Sequence, residues 1–137
     1  MLVKDTVKGN YVKKEIINSE KAFAAVGPYS HSVLVDGSLQ FISGQIGADP
    51  STGKLKATVE DQTIQAFANL EAILEETGMS FENVVKTTVF LKDMDDFAAV
   101  NQIYAQYFPH DPPARSCVAA AALPLGALFE VEAIAVK

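Results

Sequence analysis

Residues 83–108 read NVVKTTVFLKDMDDFAAVNQIYAQYF, and within this stretch the chain passes from a strand to a helix. Residues 83–91 are rich in Val, Thr and Phe, types that suit a pleated, half-buried surface. Asp93 or Asp95 then caps a helix running to about Phe108. Phe97, Val100, Tyr104 and Phe108 recur at three- and four-residue spacing and line one face of it. Pro109, Pro112 and Pro113 stop the helix and stiffen the approach to Arg115.

Working outward from there, residues 115–120 read as a strand, Pro124 and Gly126 turn the chain, and residues 128–136 form the last strand. Upstream, residues 11–17 read as the first strand, and Gly27-Pro28 breaks the chain. Residues 32–35 and 39–43 follow as short strands joined by Asp36-Gly37-Ser38, a hairpin signal. Residues 44–53 are a loop by composition. Thr58 starts the first helix, its hydroxyl capping free backbone amides. Ile64, Phe67, Leu70 and Leu74 make its apolar stripe, and Gly78 supplies the left-handed stop. The order β-β-β-α-β-α-β-β gives an α+β fold, a mixed sheet with both helices on one face. A single domain over residues 1–137 is expected, with residues 1–10 as a leader or extension. The strands are apolar on both faces, so the uncovered sheet face is expected to pack against other subunits.

Composition agrees with a small oligomer-forming domain. The chain has 137 residues, 49% of them apolar and a net charge of −6. Lys and Arg are scattered, with only a mildly basic start at Lys4, Lys8, Lys13 and Lys14. A nucleic-acid partner is therefore not expected, since it calls for a basic stripe. Cys117 is the single cysteine, which rules out an intrachain disulfide and fits a reducing compartment. No stretch has the length and apolarity of a membrane span, and the start lacks a secretory apolar core. The expectation is a soluble, cytoplasmic protein.

Several residues can carry chemistry. Arg115, held at the start of a strand, fits a bidentate carboxylate receptor or, more commonly, a surface salt bridge. In residues 128–136, Glu130 and Glu132 alternate onto one face with Leu128, Ile134 and Val136. Such acids among apolar residues serve general acid–base work or, equally well by pattern, are rim acids or structural ion pairs. Cys117 sits among Ala and Val with no adjacent base, so it reads as a buried, inert thiol. Tyr29 is a lid aromatic or a packing residue. Ser43 and Asn101 can orient a ligand. His31 and His110 complete no metal-ligand set, so no metal is expected.

Six motifs in order carry a resemblance. They are Gly27-Pro28-Tyr29-Ser30, Ile42-Ser43-Gly44-Gln45-Ile46, Val84-Val85-Lys86-Thr87-Thr88-Val89-Phe90-Leu91, Phe97-Ala98-Ala99-Val100-Asn101, Pro113-Ala114-Arg115-Ser116-Cys117-Val118 and the segment from Glu130 to Val136. Together they resemble the RidA (YjgF) family. The resemblance implies a chorismate-mutase-like fold and a homotrimer, three sheets facing inward as a barrel with ligand clefts at the subunit interfaces. It implies hydrolysis of 2-imino and enamino acids such as 2-aminoacrylate and 2-aminocrotonate to 2-keto acids and ammonia, with no cofactor. Arg115 would grip the substrate carboxylate and Glu130 would activate the attacking water. Tyr29 would cover the ligand, the Cys117 backbone would hydrogen-bond it, and Ser43, Gly44 and Asn101 would help line the cleft. His31, Ala122 and Leu125 depart from the common pattern, which bears on substrate preference. The alternative is a small-carboxylate-binding regulatory protein without turnover.

Overall fold

The computed structural model describes residues 2–5 and 10–137, with side chains from Lys13 onward. In chain order the elements are β1 (Leu2–Asp5), β2 (Asn10–Ile17), β3 (Ser32–Val35), β4 (Leu39–Ile46), α1 (Val59–Glu75), β5 (Val84–Leu91), α2 (Phe97–Tyr107), β6 (Ala114–Ala119) and β7 (Phe129–Val136). Four strands form a mixed sheet in the order β4-β7-β5-β6. β5 and β6 run parallel, and α2 is the crossover that a parallel pair requires. The β4–β7 and β5–β7 pairs are antiparallel. β1, β2 and β3 form a second, antiparallel ladder.

The period-two pattern of β7 decides which face is the core. Phe129, Val131, Ala133 and Ala135 are buried, while Glu130, Glu132 and Ile134 point to the opposite face. Val84, Val89 and Leu91 of β5 join the buried set. Onto it pack Ala66, Phe67, Leu70 and Leu74 of α1 with Val100 and Tyr104 of α2. Both helices thus cover one face, as the sequence pattern predicts. Burying each Leu or Phe stabilises the layer by about 1.5–3 kcal/mol. The other face stays open in the single chain. It presents Phe41, 71% exposed, and Val118, 46% exposed, beside a depression of about 370 Å³ lined by Ser43, Lys86, Thr88, Glu132 and Ile134.

The structure corrects four expectations. A strand, Leu2–Asp5, precedes the one expected first. β4 does not end at Ser43 but runs to Ile46, because a bulge between Ile42 and Gln45 absorbs Ser43 and Gly44 into the strand. The Asp36-Gly37 turn makes no hairpin. Asp36 N donates to the Lys13 carbonyl and Ser38 N to the Lys137 carbonyl, so β3 pairs with β2 and β4 with β7. Ile64 is 48% exposed; the buried stripe of α1 runs through Thr63, Ala66, Phe67, Leu70 and Leu74, one helical step round from it. The two caps are as expected in kind. Thr58 Oγ1 accepts from Asp61 N at 3.1 Å, and Asp93 caps a 3₁₀ turn at Met94–Asp96 that leads into α2.

A buried amide ties the loop after β4 to the rest. Gln62 Nε2 donates to the Lys56 carbonyl at 2.9 Å, and its Oε1 accepts from Leu128 N at 2.8 Å. Gly47 allows this approach, since a Cβ there would lie 2.3 Å from the Gln62 backbone. Gly47→Ala is therefore expected to force β4 away from α1 and to cost about 1–3 kcal/mol, read as a lower midpoint in denaturant unfolding.

Candidate active site

Arg115 lies in an aromatic box. Its Cζ is 4.8 Å from the ring centroid of Tyr104, 5.5 Å from that of Tyr29 and 5.6 Å from that of Phe97. Each such contact contributes about 0.5–2 kcal/mol, depending on how dry it is. Arg115 Nη1 donates to Asn101 Oδ1 at 2.6 Å. Among the described residues no carboxylate lies within ion-pair distance of the guanidinium. Among the described residues, then, Arg115 makes no salt bridge of the commoner kind. The group is half-buried and oriented by Asn101.

Three features hold the box in place. Register in the parallel pair sets Arg115 opposite Thr87, whose side chain faces the helices, so Arg115 faces them too. Ser30 anchors Tyr29, since Ser30 Oγ donates to the Pro112 carbonyl and Ser30 N to the Pro113 carbonyl, just before Arg115. Gly27 leaves room, because a Cβ at that position would lie 3.3 Å from Arg115 Nη2. The loop ahead of Tyr29 is clamped by His31. Its Nδ1 accepts from Ser19 N at 3.1 Å and its Nε2 faces the Phe23 carbonyl at 2.7 Å. The neutral imidazole with its proton on Nε2 fits both contacts.

Glu130 belongs to a different place. It pairs in register with Ile46 on one side and Phe90 on the other, on the open face of the sheet. Its carboxylate lies across Gly44; a Cβ on Gly44 would fall 2.4 Å from Glu130 Oε1. The bulge at Ser43 and Gly44 therefore makes the seat for this carboxylate. The two predicted catalytic side chains thus stand on opposite faces of one sheet. β5 also separates their strands, about 10 Å of lateral spacing. The structure gathers Tyr29, Asn101 and Arg115 in one half and Ser43, Gly44 and Glu130 in another, without joining the halves in one chain.

Comparison with known proteins bears on both halves. The family described as endoribonuclease L-PSP matches residues 19–137, which include every residue of each half. The human 2-iminobutanoate/2-iminopropanoate deaminase is 49% identical over 125 residues, 90% of this chain and 90% of that protein. The chloroplastic Reactive Intermediate Deaminase A of Arabidopsis thaliana is 49% identical over 131 residues, 95% of this chain and 70% of that protein. This chain belongs to the RidA (YjgF) family. The crystal structure of RidA from an Antarctic Psychrobacter superposes with a TM-score of 0.72 at 41% identity, covering 90% of this chain and 99% of that one.

Within the candidate site of this RidA-family chain, pattern reading missed the walls of the box. Phe97 and Tyr104 read as core residues at helical spacing, and they are that as well. The usable signal lay in register, because Tyr104 is one turn beyond Asn101 on the same helix. Burial pushes the Tyr104 phenol up to about 12, against the weaker pull of its hydrogen bond to Thr87 and of the Arg115 charge. It stays a neutral hydroxyl at physiological pH. Burial also pushes the Cys117 thiol up, opposed by the Arg115 charge. A raised thiol pKa leaves less thiolate at any given pH, but the side chain is partly exposed, not buried as the sequence pattern predicts.

Iodoacetamide is accordingly expected to alkylate Cys117 more slowly than free cysteine at about pH 8, with a pH midpoint above that of the free amino acid. Arg115→Ala removes the one lowering influence and is expected to move that midpoint higher. Mass spectrometry of timed samples checks both.

Proposed function

We propose that this chain is a hydrolytic deaminase of 2-imino and enamino acids, acting at clefts between the subunits of a homotrimer. The observation that carries this reading is the division of the site. A guanidinium with no carboxylate partner among the described residues lies at edge strand β6, facing the helices. A seated carboxylate lies near edge strand β4, facing the open side. Two halves that cannot meet within one chain can meet between copies arranged about a symmetry axis. The exposed Phe41 and Val118 give the open face an apolar reason to be covered.

In such a cleft each residue has a simple task. Arg115 takes the substrate carboxylate through two parallel N–H···O bonds, while Asn101 occupies another donor and fixes the fork. Tyr29 covers the bound acid. The edge position of β6 leaves backbone groups near Cys117 free to bond the substrate. The Glu130 carboxylate, opposite, takes a proton from water as the water oxygen adds to the imine carbon. Glu130 returns that proton to nitrogen, giving the amino alcohol; the hydroxyl proton then passes through Glu130 to nitrogen as the C–N bond breaks, and ammonia leaves as the carbonyl forms. One imine and one water give one 2-keto acid and one ammonia. An enamine enters the same path once its β-carbon is protonated. Ser43 and Gly44 line the Glu130 side.

The first test is keto-acid formation from enzymatically generated 2-aminoacrylate. Arg115→Ala is expected to lower kcat/KM at least about a hundredfold, the loss of roughly 3 kcal/mol of charge-assisted hydrogen bonding. Glu130→Gln is expected to lower kcat about 10²–10⁴-fold. Unfolding the two inactive variants together and refolding them as mixed oligomers then tests the division. A cleft built from two copies regains about a quarter of wild-type activity, because random assembly puts an intact Arg115 opposite an intact Glu130 in that share of interfaces. No recovery from mixed trimers would refute a shared site. Binding of keto acids by a wild type that shows no turnover would move the reading to a carboxylate sensor.

A further inference from the structure

We propose that Tyr104 and Thr87 are positioning residues for Arg115, a buried pair that sets the angle at which the guanidinium meets the substrate carboxylate. This rests on the reading of Arg115 as the carboxylate anchor.

The guanidinium has an electrostatic problem that most half-buried cations solve with an acid. Here an acid would compete with the substrate for the same fork. The structure uses ring faces instead. They offset the charge without filling the hydrogen-bonding edge. Of the three rings, Tyr104 is the nearest at 4.8 Å, and it is the one with no solvent exposure. Tyr29 is only partly buried and ends a loop, and Phe97 is partly exposed at the start of α2. Tyr104 is thus the fixed wall of the box.

What fixes it is Thr87. The two hydroxyls meet at 2.7 Å, and Thr87, like Tyr104, has no solvent exposure. Thr87 is also the residue directly opposite Arg115 in the β5–β6 register. The contacts close into a ring. Thr87 locks the Tyr104 phenol, the Tyr104 face sets the height of the guanidinium, and the strand pair returns to Thr87. Asn101, one turn earlier on α2, then sets the rotation of the fork through its 2.6 Å bond to Nη1. Neither Thr87 nor Tyr104 need touch substrate. Their effect passes through Arg115, in ground state and transition state alike, so it belongs in substrate affinity rather than in the chemical step.

Three single variants separate this role from plain packing. Thr87→Val keeps the shape and removes the hydroxyl. Tyr104→Phe keeps the ring and removes its lock. Thr87→Ser keeps the hydroxyl and removes a methyl group. Binding of 2-ketobutyrate, a keto acid of the product class, is measured by calorimetry, with KM and kcat for deamination alongside. Thr87→Val and Tyr104→Phe are expected to raise Kd and KM about five- to tenfold, with kcat changed less than about threefold. Thr87→Ser is expected to stay within about twofold of wild type. Wild-type affinity in Thr87→Val and Tyr104→Phe, with binding lost in Arg115→Ala, would overturn the positioning role and leave the anchor reading intact. Weakening in Thr87→Ser as large as in Thr87→Val would assign the effect to packing and overturn it too. A wild type whose 2-ketobutyrate binding is absent or indifferent to Arg115→Ala overturns the anchor reading, and this inference with it.

Discussion

The Phe67 ring, without solvent exposure, stacks on Tyr107 with centroids 4.3 Å apart and meets Tyr104, Phe108, Phe81 and Phe129 in tilted or edge contacts. These rings come from α1, the 3₁₀ turn before β5, α2 and its exit, and β7. One side chain therefore joins both helices to the sheet. Aromatic pairs of this geometry add about 0.5–1.5 kcal/mol each beyond the area they bury. The same cluster reaches the site, because Tyr104 belongs to it and also faces Arg115. The guanidinium rests on the core itself, not on a surface loop, and this is how a flexible side chain acquires a fixed direction.

Much of this could be read from residues in order. The alternation of Phe129, Val131, Ala133 and Ala135 with Glu130 and Glu132 put the acids on the opposite strand face from that apolar set, because strand period is set by covalent geometry, and burial in the structure shows which face is the core. The spacing of Phe97, Val100, Tyr104 and Phe108 gave the buried face of α2. What the order of residues could not carry was pairing between distant strands. An Asp-Gly turn reverses the chain but does not say which ladder each arm joins, and here the arms join different ladders. Gly44 looked like the start of a loop because its use is a close approach to Glu130, a contact made across strands.

The division of the candidate site was hidden for the same reason. Arg115 and Glu130 each looked like a site residue, and nothing local says that they face opposite ways. The direction of Arg115 follows from β6 running parallel to β5 in register with Thr87, and the direction of Glu130 from antiparallel pairing of β7. Only the assembled sheet supplies both. The walls of the aromatic box were seen as core because one ring can fill a core and support a cation with its face.

The bulge at Ser43 and Gly44 has another consequence. β4 is an edge strand and carries the exposed Phe41, the kind of border on which foreign strands extend a sheet. A ladder growing there would need an even run of donors and acceptors along residues 39–46. The bulge interrupts that run between Ile42 and Gln45 and twists the border away from flatness. The irregularity that seats a carboxylate thus also breaks the even ladder that an added strand would need.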